Sequence, residues 1–326
     1  MAMRTLCLSL FIGLTHAILA ASPGHASDLI ILTSPSTPHY QESIESFRRH
    51  LPSQVHTETL SLDGRLEQAR SIGEYIRASH PKLVFAVGLK AAVTAKTQFP
   101  NTPTLFAMVV NPGDHELPSG RMVGISQQPP VHVQIEHIHA LAPAAQRIGI
   151  LYDGSKRNLF VQEAQFTAKK LSLQILVRPI TRREDVAEAL HAMVPSIDLL
   201  WVIQDSTILS EETVDTMLRS TLRHKIPIFT FSASLVKRGA LGALTVSPTA
   251  AGQQAALLAQ KMLKQEGPPL PSLVEPDYSE LAINLNTAEY LGLTPARDVV
   301  RTAGIVIGGP GDMAKQEQNL LQDLFQ

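Results

Sequence analysis

Pro81-Lys82-Leu83-Val84-Phe85-Ala86-Val87 is an apolar run without polar alternation, and Ile197-Asp198-Leu199-Leu200-Trp201-Val202-Ile203 repeats that pattern in the second half of the chain. The first leads through a helical stretch to Pro103-Thr104-Leu105-Phe106, and the second through another to Pro227-Ile228-Phe229. Short runs that are apolar on both faces suit parallel strands covered by helices on either side. Further runs of this kind are Asp28-Leu29-Ile30-Ile31-Leu32-Thr33, Thr104-Leu105-Phe106-Ala107-Met108-Val109-Val110 and Ile148-Gly149-Ile150-Leu151-Tyr152. Amphipathic segments separate them. Tyr40, Ile44 and Phe47 recur at helical spacing, as do Val214, Met217, Leu218 and Leu222 behind Ser210-Glu211-Glu212. Thr181-Arg182-Arg183-Glu184 has the spacing of a capping box. Alternating strand and helix units predict an α/β protein, here two doubly wound parallel-sheet lobes joined by a hinge.

The weak symmetry between the halves sets the boundaries. Pro129-Pro130 marks the first passage between lobes. The expected division is 27–128 plus about 249–270 for the first lobe and 129–248 plus about 271–300 for the second. Residues 301–326 are expected to form a C-terminal tail or helix.

The start of the chain reads differently. Met1-Ala2-Met3-Arg4 is basic, Leu6 to Ala20 is apolar, and Gly24-His25-Ala26 ends on a small residue. That sequence of features describes a secretory signal peptide over 1–26, and the apolar run is shorter than a membrane span. The single cysteine, Cys7, lies inside it, so the mature chain has no thiol chemistry and no disulfide. A soluble periplasmic protein is the expectation. At 326 residues, 44% hydrophobic and 17% charged, the chain is long and apolar enough for two cores. Its net charge of −1 and the absence of a lysine-arginine stripe argue against a nucleic-acid partner.

In open parallel sheets, ligands bind outside the carboxyl ends of the strands. Two such sheets facing each other make a cleft, and the loops at 34–40, 88–90, 110–112, 153–158, 204–207 and 232–234 are its candidate lining. Competing readings are weaker. His132, Glu136 and His139 share one helix face, but a metal site needs a fourth group and a supporting shell. Gly308-Gly309-Pro310-Gly311-Asp312 lacks the lysine and hydroxyl of a phosphate loop, and Pro310 removes an amide donor. No nucleophile elbow occurs. No catalytic residue, metal ligand or cofactor is therefore assigned, and the chain is read as a binding protein and not an enzyme. Trp201 reads as core.

Several stretches in order resemble one family. They are Pro118-Ser119-Gly120-Arg121-Met122-Val123-Gly124-Ile125-Ser126, Arg147-Ile148-Gly149-Ile150-Leu151-Tyr152, Gly239-Ala240-Leu241 with Gly252, and Ile283-Asn284-Leu285-Asn286-Thr287-Ala288-Glu289-Tyr290-Leu291-Gly292-Leu293. Together they resemble the ABC-transporter substrate-binding proteins of the tryptophan-binding TrpX type, with the type I periplasmic-binding fold. The resemblance implies a monomeric solute-binding protein of an ABC-type importer. It would trap a small polar metabolite, with amino acids among the options, by hinge closure and present it to a membrane permease. A receptor feeding a membrane sensor is the first alternative, and a secreted α/β enzyme is the lesser one.

Carried over by position, the resemblance puts Ser34 and Tyr40 in the first loop and Gly88, Leu89 and Lys90 in the loop after the third strand. It puts Asn111 after the fourth strand, Asp205 where an acidic residue would meet a ligand ammonium, and Phe231 and Ser232 at a further strand end. This chain departs from the family pattern in having Leu89-Lys90 where a hydroxyl is usual and Asn111-Pro112 for Asp-Pro. Thr249-Ala250-Ala251 stand where tyrosines are expected. The departures leave the ligand open.

Overall fold

The computed structural model describes residues 28–34, 37–63, 66–265 and 267–309. The expected signal peptide, and the part of the C-terminal segment beyond Gly309, lie outside these residues.

The chain starts with β1 (Leu29–Thr33), α1 (Pro38–His50), β2 (Thr57–Ser61), α2 (Leu66–Ser79), β3 (Leu83–Val87), α3 (Leu89–Gln98), β4 (Thr104–Val109) and β5 (Met122–Ser126). It continues with α4 (Val131–Leu141), β6 (Arg147–Tyr152), α5 (Asn158–Lys170), β7 (Gln174–Pro179), α6 (Val186–Met193), β8 (Leu199–Trp201), α7 (Glu211–Arg223), β9 (Ile228–Thr230), α8 (Ala233–Lys237) and β10 (Gly242–Thr245). Last come α9 (Pro248–Lys264), β11 (Leu273–Val274), β12 (Glu280–Asn284), α10 (Leu285–Leu291), α11 (Arg297–Thr302) and β13 (Ile305–Ile307).

Two sheets result, in the orders β11-β5-β4-β3-β1-β2 and β13-β12-β10-β9-β8-β6-β7. All pairings are parallel except β10 with β12. The unalternated apolar runs have their physical reason in the burial of both faces. Leu29, Ile31, Leu83 and Phe85 pack under Ile44 and Phe47 of α1 and Ala255 and Leu258 of α9. Their neighbours Ile30, Leu32, Val84 and Ala86 pack on the opposite face against Ile76 of α2 and Ala91 and Ala95 of α3. Each large side chain so buried contributes about 1.5–3 kcal/mol of transfer free energy. Phe47 and Phe85 stack with centroids 4.1 Å apart. In the second sheet Trp201 is core, as its run implies, and meets Phe160 edge to face at 5.3 Å.

The helix starts differ in how local they are. Ser210 caps α7 reciprocally: its Oγ accepts from the Thr213 amide at 3.2 Å, and Thr213 Oγ1 accepts from the Ser210 amide at 2.9 Å. The expected capping box at Thr181 does not form. A short 3-10 turn, Arg183–Asp185, precedes α6, and no side chain caps it.

The chain passes between the sheets at 127–130, 246–247 and 275–279. Gln254 on α9 ties down the last passage: its Nε2 donates to the Glu275 carbonyl at 2.7 Å and its Oε1 accepts from the Asp277 amide at 3.2 Å. Two boundary expectations change. Residues 273–274, placed with the second lobe, pair with β5 in the first sheet, and residues 305–307, placed in a tail or helix, form the edge strand of the second. Strands of two and three residues carry too little periodicity to be read, and only their partners fix them.

Candidate functional site

Ser34 follows β1 directly and is 3% exposed; its amide donates to the Val87 carbonyl at 2.9 Å. Its Oγ accepts from the Ala91 amide at 3.0 Å, which fastens the first loop to the start of α3. Gly88 sits between β3 and α3 with φ of +86°, a conformation that a side chain resists. A Cβ there would lie 2.7 Å from the Tyr40 ring and hydroxyl and 2.8 Å from Ser34 Oγ. Ser34, Tyr40 and Gly88 therefore converge on one point at the strand tips.

Thr37 and Pro38 at the start of α1 hold Tyr40, whose amide donates to Thr37 Oγ1 at 3.3 Å. Burial raises the pKa of the Tyr40 phenol, so at neutral pH it is an uncharged group able to donate a hydrogen bond. Leu89 and Lys90 are the first two residues of α3, where amides have no partner inside the helix and the dipole favours anions. Leu89 is half-buried and Lys90 is exposed.

The second lobe contributes differently from expectation. Asp205 is 1% exposed, and its two oxygens are taken by its own lobe. Oδ2 accepts from the Asp153 amide at 2.7 Å and Oδ1 from the Thr207 amide at 2.9 Å. Asp153 accepts in turn from the Ser155 amide at 2.9 Å, from Ser155 Oγ at 2.6 Å and from Thr207 Oγ1 at 2.6 Å. Hydrogen bonds from Ser155 and Thr207 hold the Asp153 carboxyl at a pKa of about 2. The two carboxylates organise the loops after β6 and β8. Phe231 packs against the core between the second sheet and helices α6 and α7, and Ser232 caps α8, its Oγ accepting from the Ser234 amide at 3.3 Å.

Asn111 crosses the cleft. Its Nδ2 donates to the Gln204 carbonyl at 3.0 Å, so it joins lobes where the resemblance implies a ligand contact. Sequence reading left out Asp114 and held Arg157 only as part of the 153–158 loop; the two form an interlobe ion pair. The available signal was an arginine inside a strand-tip loop.

His132, Glu136 and His139 stand exposed along α4, and among the described residues no cluster of three or more His, Cys, Asp or Glu could hold a metal ion. A groove of about 770 Å3, lined by Lys82, Pro103, Arg121, Met262, Leu270 and Ser272, opens at the amino ends of β3, β4 and β5. That is the end of a parallel sheet opposite to the one where ligands bind.

Two sheets whose strand tips meet across a cleft, with three chain passages beside them, define the type I periplasmic-binding fold. The chain belongs to the ABC transporter substrate binding protein family, whose model matches residues 53–307. It is similar to a tyrosine-binding protein of Clostridioides difficile (strain R20291), 25% identical over 232 residues that cover 69% of this chain and 67% of the relative. Two solved structures share the fold. The ligand-free, open structure of a substrate-binding protein with adhesive properties from Clostridium difficile has a TM-score of 0.70 at 20% identity, covering 86% of this chain and 99% of that one. A Streptococcus pneumonia ABC domain in complex with L-Trp has a TM-score of 0.60 at 23% identity, with the same coverage. The family is one of substrate-binding proteins and not of enzymes. Among the described residues no helix is long and apolar enough to cross a membrane.

Proposed function

We propose that this protein is the periplasmic solute-binding component of an ABC importer and that it captures an amino acid or a close relative by hinge closure. The observation that carries the reading is the convergence of Ser34, Tyr40 and Gly88 on the opening turn of α3. A carboxylate suits that turn because free amides and the helix dipole both favour an anion. Lys90, one residue into the helix, adds a positive charge at the mouth. Tyr40 offers an aromatic face and a neutral hydroxyl, which fits an amino-acid side chain or backbone. The tyrosine-binding relative and the L-Trp complex support this ligand class.

The second lobe would close over the solute and exclude water, which strengthens each polar contact. Micromolar capture requires roughly 8 kcal/mol. A few charge-assisted hydrogen bonds and one buried ring reach that after the entropy of association is subtracted.

The deciding experiment is mass spectrometry of small molecules released from protein purified without denaturation, followed by thermal shift with the twenty amino acids, their amides and simple sugars. A ligand that binds only the native state raises the melting temperature. Stabilisation by free amino acids and not by their amides is the expected pattern. Stabilisation by sugars alone would overturn the proposed ligand class.

A further inference from the structure

β4 loses register against β5 between Phe106 and Val109, and Met108 there has φ of +61°. Asn111 at +46° and Glu116 at +53° follow. Left-handed backbone at three residues with side chains, so close together, persists only where surrounding contacts hold it. Lys96 of its own lobe holds the end of this segment, donating to the His115 carbonyl at 3.2 Å and pairing with Glu116 at 2.6 Å, while Asn111 and Asp114 reach the other lobe. Asn111 Nδ2 donates to the Gln204 carbonyl at 3.0 Å. Asp114 accepts from Arg157 in two places: Nη1 donates to Oδ1 at 3.0 Å and Nη2 donates to Oδ2. Arg157 also gives its Nε to that same Gln204 carbonyl at 3.1 Å. One carbonyl therefore receives a donor from each lobe, and one guanidinium binds both lobes at once.

The side chain of Arg157 is 11% exposed and that of Asp114 is 24% exposed. The two-pronged geometry makes the pair strong at low ionic strength, while the part of Asp114 still open to solvent keeps it within reach of salt screening. Its fork geometry also fixes orientation, which a lysine in the same place would not.

We propose that Arg157 is a positioning residue and that the Asp114–Arg157–Gln204–Asn111 node is an electrostatic clasp that sets how far the lobes part. The proposal rests on the hinge-closure reading above. A solute that needs the closed form binds with an apparent affinity reduced by the fraction of protein closed. The clasp thus makes capture depend on ionic strength even for a solute without net charge.

Small-angle X-ray scattering tests this without a ligand. The wild type is compared at low salt and at about 1 M salt, where the screening length is ~3 Å. Asp114→Asn, Asp114→Arg and the reversal pair Asp114→Arg with Arg157→Asp are measured beside it. The expected result is a larger radius of gyration for the wild type in high salt and for Asp114→Arg at any salt, with the reversal pair returning toward the wild type at low salt. Asp114→Asn, nearly isosteric at an exposed turn, should shift in the same direction by less. Equal radii for the wild type and both single variants at low salt would overturn the clasp, as would a reversal pair no closer to the wild type than Asp114→Arg. If no solute is released or bound while the radii follow charge, the clasp stands and the ligand reading fails.

Discussion

Asp205 Oδ2 accepts the Asp153 backbone amide at 2.7 Å, a bond that ties the loop after β8 to the loop after β6. Its other oxygen holds the Thr207 amide at 2.9 Å. A buried amide left without an acceptor costs about 1–3 kcal/mol, more than a surface ion pair returns. The carboxylate is therefore committed to shaping its lobe.

Asp205→Ala should accordingly lower unfolding free energy by about 2–4 kcal/mol, since two amides lose their acceptor. Urea titration followed by circular dichroism reads this directly. Unchanged stability combined with a collapse in ligand affinity would show the carboxylate meeting solute instead.

Asp153 makes stability depend on pH in acid. Its folded pKa of about 2 lies below the ordinary 3.8, so it stabilises the fold fully above the ordinary value, and that contribution is lost as pH falls through about 2. The advantage of the wild type over Asp153→Asn should shrink between pH 6 and the acid limit by roughly 1–2 kcal/mol. A difference that stays constant over that range would contradict the assignment.

Gly88→Ala places a methyl 2.7 Å from Tyr40 and 2.8 Å from Ser34 Oγ on a backbone at φ of +86°. The backbone strain alone costs about 1–2 kcal/mol. Loss of melting temperature and at least about tenfold weaker binding of the identified solute, a change of 1.4 kcal/mol, are expected. Calorimetry showing wild-type affinity in this variant would remove the Ser34, Tyr40 and Gly88 convergence from the site.

Gly252 sits where α9 crosses α1, and a Cβ there would meet the Ser43 carbonyl oxygen at 2.1 Å. In an open helix, Gly to Ala gains about 1 kcal/mol of propensity. Here overpacking against backbone, typically about 1–3 kcal/mol, should win, and Gly252→Ala should destabilise. A more stable variant in urea would mean that the two helices separate at little cost. The same crossing explains Thr249, one of the departures from the family pattern: its hydroxyl donates to Glu42 on α1 at 2.6 Å.

The class of fold was legible because burial on both sheet faces leaves a local trace. Leu29 to Leu32 and Leu83 to Val87 could not stay apolar at every position if one face met water. The helix start at Ser210-Glu211-Glu212 was legible because its signals lie within four residues, although the same kind of local pattern at Thr181 formed no cap. The edge strands at 273–274 and 305–307 were not, because their pairing is decided by partners far along the chain.

For the site, the sequence by itself determined which loops stand at the strand tips, since order along each lobe dictates that. Tertiary structure alone decided what each residue does there. It turned Asp205 inward onto two amides, sent Asn111 across to Gln204 and brought Asp114 to Arg157. Hydrogen bonds act over about 3 Å between groups that may be far apart in sequence, so no residue type or spacing records them.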